Sequence, residues 1–324
     1  MALDPIVKQQ LAAAGKPKLS LRQPGMAEIR AAAARADSEF WDRAGVPAPR
    51  ASIERLSIPV AHPAAPDAPD VVVRIYRPPS ASGPLPGLVT FFGGAFRQGS
   101  NDYASNVWMH ASRAVGAGIA VVAVDYALAP EHSYPTQIVQ GLAVLDWLQA
   151  RGVEHGVDPA SLALGGQSSG GNIAAAVAQR NLDESGDPMK LQLLEVPVLD
   201  LTGKHTALGA LRELGIPSIA MRIELGKLVR NYLGDRRLAR DPRASPLLRD
   251  DLSGLPPTVI LAAEYDVLRG DAAAYHARLR AAGIESAALL ALGQTHDSNG
   301  MIGIMPAAKL WQETVLTALR RLHS

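Results

Sequence analysis

The chain contains no cysteine. Disulfides, thiolate nucleophiles, cysteine-bound zinc and iron–sulfur clusters are therefore excluded. It also lacks an excess of either charge: Lys plus Arg number 32 and Asp plus Glu 31, for a formal charge of +1. Nothing in that balance attracts a nucleic acid. Long hydrophobic runs are missing. The most apolar stretches, such as Gly118 to Val124, are far too short to span a bilayer, so no membrane span is expected. Met1-Ala2-Leu3-Asp4-Pro5 has no charged region leading into an apolar one. It does not read as a secretory signal, and the default location is the cytoplasm. No His-x-x-x-His string or carboxylate cluster has metal-ligand spacing, so neither a metal nor a cofactor is expected. Aromatics make up only 5% of the 324 residues, against 48% apolar and 19% charged. That is the profile of a globular chain with a full core, and it excludes disorder over most of the length. The length fits one large α/β domain or two smaller ones.

No repeat or low-complexity tract interrupts the chain. Asp4-Pro5 reads as a helix N-cap followed by proline at the first helical position, and a second helix is expected around Ala27–Arg43. Strands are predicted at Leu56–Val60, Val71–Tyr76 and Leu88–Phe92, the first two joined by the Pro/Ala/Asp-rich turn His62–Asp70. Beyond Asn101 strands and helices alternate. Strands fall at Ile119–Val124, Leu162–Leu164, Leu191–Val198, Thr258–Ala263 and Ala287–Leu292. Helices fall at Thr136–Ala150, Gly170–Gln179, Arg269–Ala282 and Ala307–Leu322. Leu201–Tyr232 reads as irregular and helical. Apolar strands alternating with helices predict a parallel sheet covered on both faces. An antiparallel N-terminal hairpin makes the sheet mixed. Residues 1–45 and 200–235 fall outside the alternation and are expected to form a helical cap on a core of 46–199 and 236–324.

Gly166-Gln167-Ser168-Ser169-Gly170 matches G-x-S-x-G. Between a strand and a small-residue helix, this string places a serine hydroxyl on a tight turn above the sheet. The helix N-terminus adds partial positive charge beside it. Acyl transfer also needs backbone N–H donors for the developing alkoxide. Gly93-Gly94-Ala95, after an earlier strand, and Ser169, after the nucleophile, are placed to supply them. An acid is expected at the end of a late strand, where Asp266 fits better than Glu264 or Asp271. A base is expected in the loop after the next strand, and His296 is the only histidine there. The order Ser168, Asp266, His296 suits a nucleophile, an orienting acid and a general base.

Five segments make the chain resemble the hormone-sensitive-lipase-like esterases, bacterial family IV of the α/β-hydrolases, from about Val71 to about Asn299. Phe92-Gly93-Gly94-Ala95-Phe96 with Gly99-Ser100 resembles H-G-G-G-[FW]-x-x-G-S. Asp125 to His132 is similar to D-Y-R-L-A-P-E-H, and Gly166 to Asn172 to G-D-S-A-G-G-N. Asp241 to Leu247 is similar to D-P-R-A-S-P-L, and Glu264 to Arg269 to the acid segment. The resemblance implies an α/β-hydrolase fold with a mostly parallel eight-stranded sheet, helices on both faces and a helical cap. It implies a triad of Ser168, Asp266 and His296, with oxyanion donors from Gly94, Ala95 and Ser169. It makes Asp125 to His132 a structural loop. Three positions depart from the pattern: Phe92 replaces the histidine before the glycines, Ala95 the third glycine, and Gln167 the aspartate before the nucleophile. Ala95 can offer its N–H provided its φ is negative.

The implied activity is a serine carboxylesterase acting on short to medium acyl esters, with a small-molecule ester as its partner. The same triad could serve a deacetylase, an amidase or an acyltransferase on a specialised natural product. Ligand-binding relatives of this fold lack the base, which His296 supplies here. Phe92 and Phe96, beside the oxyanion loop, are expected to face the substrate. Trp41, Ile216 and Met221, with Phe40, Ile219 and Leu225, are apolar candidates for the pocket. The resemblance also suggests a homodimer through the last strand and helix, because the apolar edge Ala287–Leu292 needs cover.

Overall fold

The computed structural model describes residues 2–14, 24–186, 189–210 and 214–324. Eight strands form one sheet: β1 (Ser52–Ile58), β2 (Val71–Arg77), β3 (Leu85–Phe91), β4 (Ala120–Asp125), β5 (Val157–Gln167), β6 (Leu191–Glu195), β7 (Thr258–Tyr265) and β8 (Ser286–Thr295). Their order is β1-β2-β4-β3-β5-β6-β7-β8. β2 pairs antiparallel with both β1 and β4, and every later pairing is parallel. The expected mixed, mostly parallel sheet is what forms.

Eight α-helices stand among the described residues: α1 (Pro5–Ala14), α2 (Met26–Ala44), α3 (Ala104–Ala117), α4 (Thr136–Arg151), α5 (Ser169–Ser185), α6 (Ser218–Leu233), α7 (Arg269–Ala281) and α8 (Pro306–Arg320). Period-2 alternation in the strands builds a core on each face of the sheet. Val122 and Val124 of β4 join Leu145 of α4, Ile173 of α5 and Tyr275 of α7. Their neighbours Val121 and Ala123 join Ala114 of α3 and Val315 of α8 on the other face.

The structure departs from the sequence reading in several elements. α3 was not foreseen, and β5 begins five residues before Leu162. β6 ends at Glu195, short of Val198. Leu201–Tyr232 is not helical throughout: turns occupy 201–206, and the long helix begins only at Ser218. Positions 211–213 of that span, and 15–23 of the expected N-terminal cap segment, lie outside the described residues.

The non-alternating segments dock through specific contacts. Asp4 caps α1 by accepting the Ile6 N–H at 2.8 Å, and the Asp4 N–H donates to the Gly293 carbonyl in β8. Arg30 of α2 donates to the carbonyls of Arg97 and Ala129 and pairs with Glu131. Trp41 of α2 stacks on Trp108 of α3, with ring centroids 5.7 Å apart.

Candidate active site

The sharp turn between β5 and α5 sets the position of Ser168. Its backbone lies at φ 55° and ψ −114°, a conformation that costs a non-glycine residue about 1–3 kcal/mol. The surrounding packing holds it there. A Cβ on Gly166 would collide with the Gly170 backbone, and one on Gly170 with the carbonyls of Phe91 and Phe92. Only glycine at both positions lets α5 approach β3 and β5 this closely. The Ser168 N–H donates to the Glu195 carbonyl at 2.8 Å.

β7 ends at Tyr265, and the next residue, Asp266, is buried. Its Oδ1 accepts the Leu268 N–H at 2.9 Å, which fixes the carboxylate. Its Oδ2 lies 2.8 Å from His296 Nδ1, in the loop after β8. In the neutral imidazole the carboxylate accepts the Nδ1–H hydrogen bond, leaving Nε2 to accept from Ser168 Oγ at 3.0 Å. Burial works against the charged imidazole. The charge and hydrogen bond of Asp266, helped by Asp297, outweigh it and lift His296 to about 9.

The rival groups have other partners. Glu264 accepts the Gly293 N–H, and Asp271 accepts the N–H groups of Leu199 and Asp200. His110 is buried against Asn101, and its pKa falls to about 3, chiefly through desolvation, with the charges of Arg113 and Arg74 adding to it. His205 meets Asp200, His276 meets Ser286, and His323 meets the Ala117 carbonyl.

Gly93, Gly94 and Ala95 line a cavity of about 610 Å³ together with Ser168 and His296. Gly94 turns its carbonyl away, accepting from the N–H groups of Arg97 and Gln98. The N–H groups of Gly94, Ala95 and Ser169 have no acceptor among the described residues. Ala95 sits at φ +54°, so the negative φ on which its N–H was made to depend is not met, yet that N–H is still left without an acceptor among the described residues. Holding an alanine in this left-handed backbone costs about 1–2 kcal/mol.

The cavity is not lined as the sequence suggested. Trp41 and Phe40 of α2 do line it, but Phe92, Phe96, Ile216 and Met221 do not, nor do Ile219 and Leu225. Phe92 is buried and stacks on Tyr126, at 4.2 Å between centroids, while the Tyr126 hydroxyl donates to the Phe92 carbonyl. This packing steadies the loop where a histidine would use a polar contact. Phe96 turns inward and stacks on Tyr232 of α6 at 3.7 Å. Ile216 is 39% exposed and Ile219 65% exposed, at the surface of the 200–235 segment. Gln167 donates through Nε2 to Asn299 Oδ1 at 3.1 Å, tying the Ser168 turn to the loop that carries His296.

The sequence reading missed one whole wall. Asn106, Trp108, Met109 and Arg113 of α3, Glu195, and Trp311 and Gln312 of α8 also line the cavity. The available signal was a charge inside an apolar strand, Glu195 in Leu191–Val198, and an arginine among alanines, Arg113. Among the described residues no group of three His, Asp or Glu could hold a metal ion. No described helix is long and apolar enough to cross a membrane.

The model of the α/β-hydrolase fold matches residues 88–299. Carboxylesterase NlhH of Mycobacterium tuberculosis is 35% identical over 268 residues, covering 79% of this chain and 80% of the relative. Esterase LipI of the same species is 34% identical over 258 residues, covering 76% and 77%. The solved structure of a hyperthermophilic esterase from Pyrobaculum calidifontis superposes with a TM-score of 0.87 at 27% identity, over 100% of this chain and 99% of that one. With the strand order and the turn at Ser168, these matches establish that the chain belongs to the hormone-sensitive-lipase-like branch of the α/β-hydrolase family.

Proposed function

We propose that this ester hydrolase is a serine carboxylesterase acting on short to medium acyl esters, with Ser168 as nucleophile, His296 as base and Asp266 as orienting acid. The observation that carries the reading is the continuous hydrogen-bonded relay from Asp266 through His296 to Ser168, at 2.8 and 3.0 Å. As Ser168 Oγ attacks the ester carbonyl, its proton passes to His296 Nε2. Asp266 stabilises the imidazolium without taking its proton. The N–H groups of Gly94, Ala95 and Ser169 receive the alkoxide oxygen. His296 then gives its proton to the leaving alcohol. Water, deprotonated in turn by His296, hydrolyses the acyl-enzyme and regenerates Ser168.

Residues 1–45 and 200–235 act as the cap in this reading. α2 of the first segment roofs the cavity through Phe40 and Trp41. The second segment supports the oxyanion loop from behind through Tyr232 and Phe96. The working form in this proposal is a homodimer joined along β8.

The test is a set of initial rates on p-nitrophenyl esters from acetyl to dodecanoyl. Ser168→Ala is expected to lose about 10⁴-fold or more in kcat, and the rate is expected to fall once the acyl chain outgrows the cavity. A folded Ser168→Ala protein that matches wild type would defeat the assignment.

A further inference from the structure

The cavity extends beyond the reacting groups to a buried polar end between α3 and α8. Arg113, Glu195, Trp311 and Gln312 line that end, and all four are buried. Arg113 Nη2 donates to Glu195 Oε1 at 2.6 Å, and Trp311 Nε1 donates to Glu195 Oε2 at 2.7 Å. Both carboxylate oxygens are thus engaged. A guanidinium carries five N–H donors. Arg113 Nε is shut in without an acceptor, whereas Nη1, also without an acceptor among the described residues, keeps accessible surface. The ion pair therefore leaves donor capacity unmet at the wall of an open cavity.

A buried donor without an acceptor is costly, and more so when it is charged. A plain alkyl chain reaching this end would remove water from the guanidinium and return nothing. A chain bearing an oxygen would replace the lost hydrogen bond. The paired Glu195 decides the charge of the best guest. It cancels the charge of Arg113, so a carboxylate entering here would meet no net counter-charge, whereas a neutral oxygen needs none.

We infer that the Arg113–Glu195 end of the cavity binds a neutral oxygen function, a keto, hydroxyl or ether group, on the acyl or alcohol chain of the ester. The inference rests on the ester-hydrolase reading and narrows its substrate class to oxygenated esters.

Paired substrates test it. One set compares p-nitrophenyl hexanoate with the 4-oxo- and 5-oxohexanoates, which carry the oxygen on the acyl side. The other compares butyl acetate with 2-methoxyethyl acetate, which carries it on the alcohol side. Each kcat/KM is divided by the rate constant for hydroxide-catalysed hydrolysis of the same ester. In at least one set the oxygenated ester is expected to lead by about 10-fold or more, as one hydrogen bond to a charged donor warrants. In Arg113→Met/Glu195→Gln, which removes both charges together, that ratio is expected to fall to about one, whatever the overall rate. Corrected ratios at or below one in both wild-type sets overturn the inference even if the variant does not fold. A ratio unchanged in the folded variant overturns it too. Turnover without preference defeats this inference alone. No turnover of any ester defeats the hydrolase reading and this inference with it.

Discussion

At Ser168 and His296 the chemistry depends on which protons are in place. In the proposed mechanism His296 must be neutral to accept the Ser168 proton. Asp266 raises His296 from its ordinary value near 6.5 to about 9, so at neutral pH most of the imidazole is already charged. The kcat/KM is therefore expected to climb about tenfold per pH unit through the neutral range and to level off near 9. Asp266→Asn removes the charge that holds the proton. Its profile is expected to level off at lower pH, near the ordinary histidine value, with a plateau lower by about 10⁴-fold because the imidazole is no longer held in the right tautomer. A full pH–rate profile of both proteins checks this, and an unmoved inflection would remove Asp266 from the role. The same pair has a stability consequence. Because the folded pKa is raised, the ion pair contributes fully below about 6.5, and its contribution fades as the pH rises through 9.

Between elements, the loop of Gly93 to Phe96 is held from behind by aromatic stacking. Tyr232 of α6 lies flat on Phe96, with an interplanar angle of 8°, and its backbone carbonyl accepts the Tyr134 N–H at 2.8 Å. The Tyr232 hydroxyl is buried with no partner among the described residues. The ring therefore stabilises the docking of α6 while the hydroxyl opposes it. Tyr232→Phe keeps the stack and removes the stranded group, so it is expected to stabilise the fold by about 1 kcal/mol. For a chain of this length that raises the unfolding midpoint by about 1–2 °C. Calorimetry of the variant beside wild type checks it, and a clear drop would mean that the hydroxyl has a partner. The packing of Phe96 also explains what the sequence reading could and could not reach. Strands such as β4 and β7 were legible because they are continuous apolar runs, and α4 because its leucines repeat at helical spacing. Ser168, Asp266 and His296 could be singled out as candidates because chain order along an alternating fold restricts such residues to strand ends, and the three are joined within hydrogen-bond distance through His296. Phe96 sits on a left-handed turn, and sequence does not say which side of it the ring takes; Phe92 turns to Tyr126, a partner 34 residues away that local sequence does not reveal. α3 was passed over because its buried face carries Asn106, His110 and Arg113, which look like surface until tertiary partners supply their hydrogen bonds.

Across the whole molecule, the two edges of the sheet differ in chemistry. β1 carries the exposed Glu54 and Arg55, charges that discourage another strand from pairing. β8, at the opposite edge, has no charged residue from Ser286 to Thr295. It exposes Leu289 at 38%, Leu290 at 47% and Leu292 at 53%, and the neighbouring α8 exposes Leu310 at 61%. An uncharged, apolar edge with free backbone groups is a template for a second strand. With a net charge of only +1, two copies do not repel each other strongly. Pairing β8 with its own copy about a two-fold axis would satisfy the edge on both chains and bury the leucines, a self-complementary arrangement that closes on itself. The consequence reaches the active site, because β8 ends at Thr295, one residue before His296. Light scattering of the wild type at micromolar concentration is expected to give twice the chain mass. Leu290→Glu, which puts like charges on both sides of the two-fold axis, is expected to give a single chain with a lower unfolding midpoint. Its kcat/KM is expected to fall more than its folded fraction does, since the strand that carries the base into position would then be a free edge. A wild type that remains a monomer would leave β8 an uncovered edge, and the coupling between assembly and His296 would not exist.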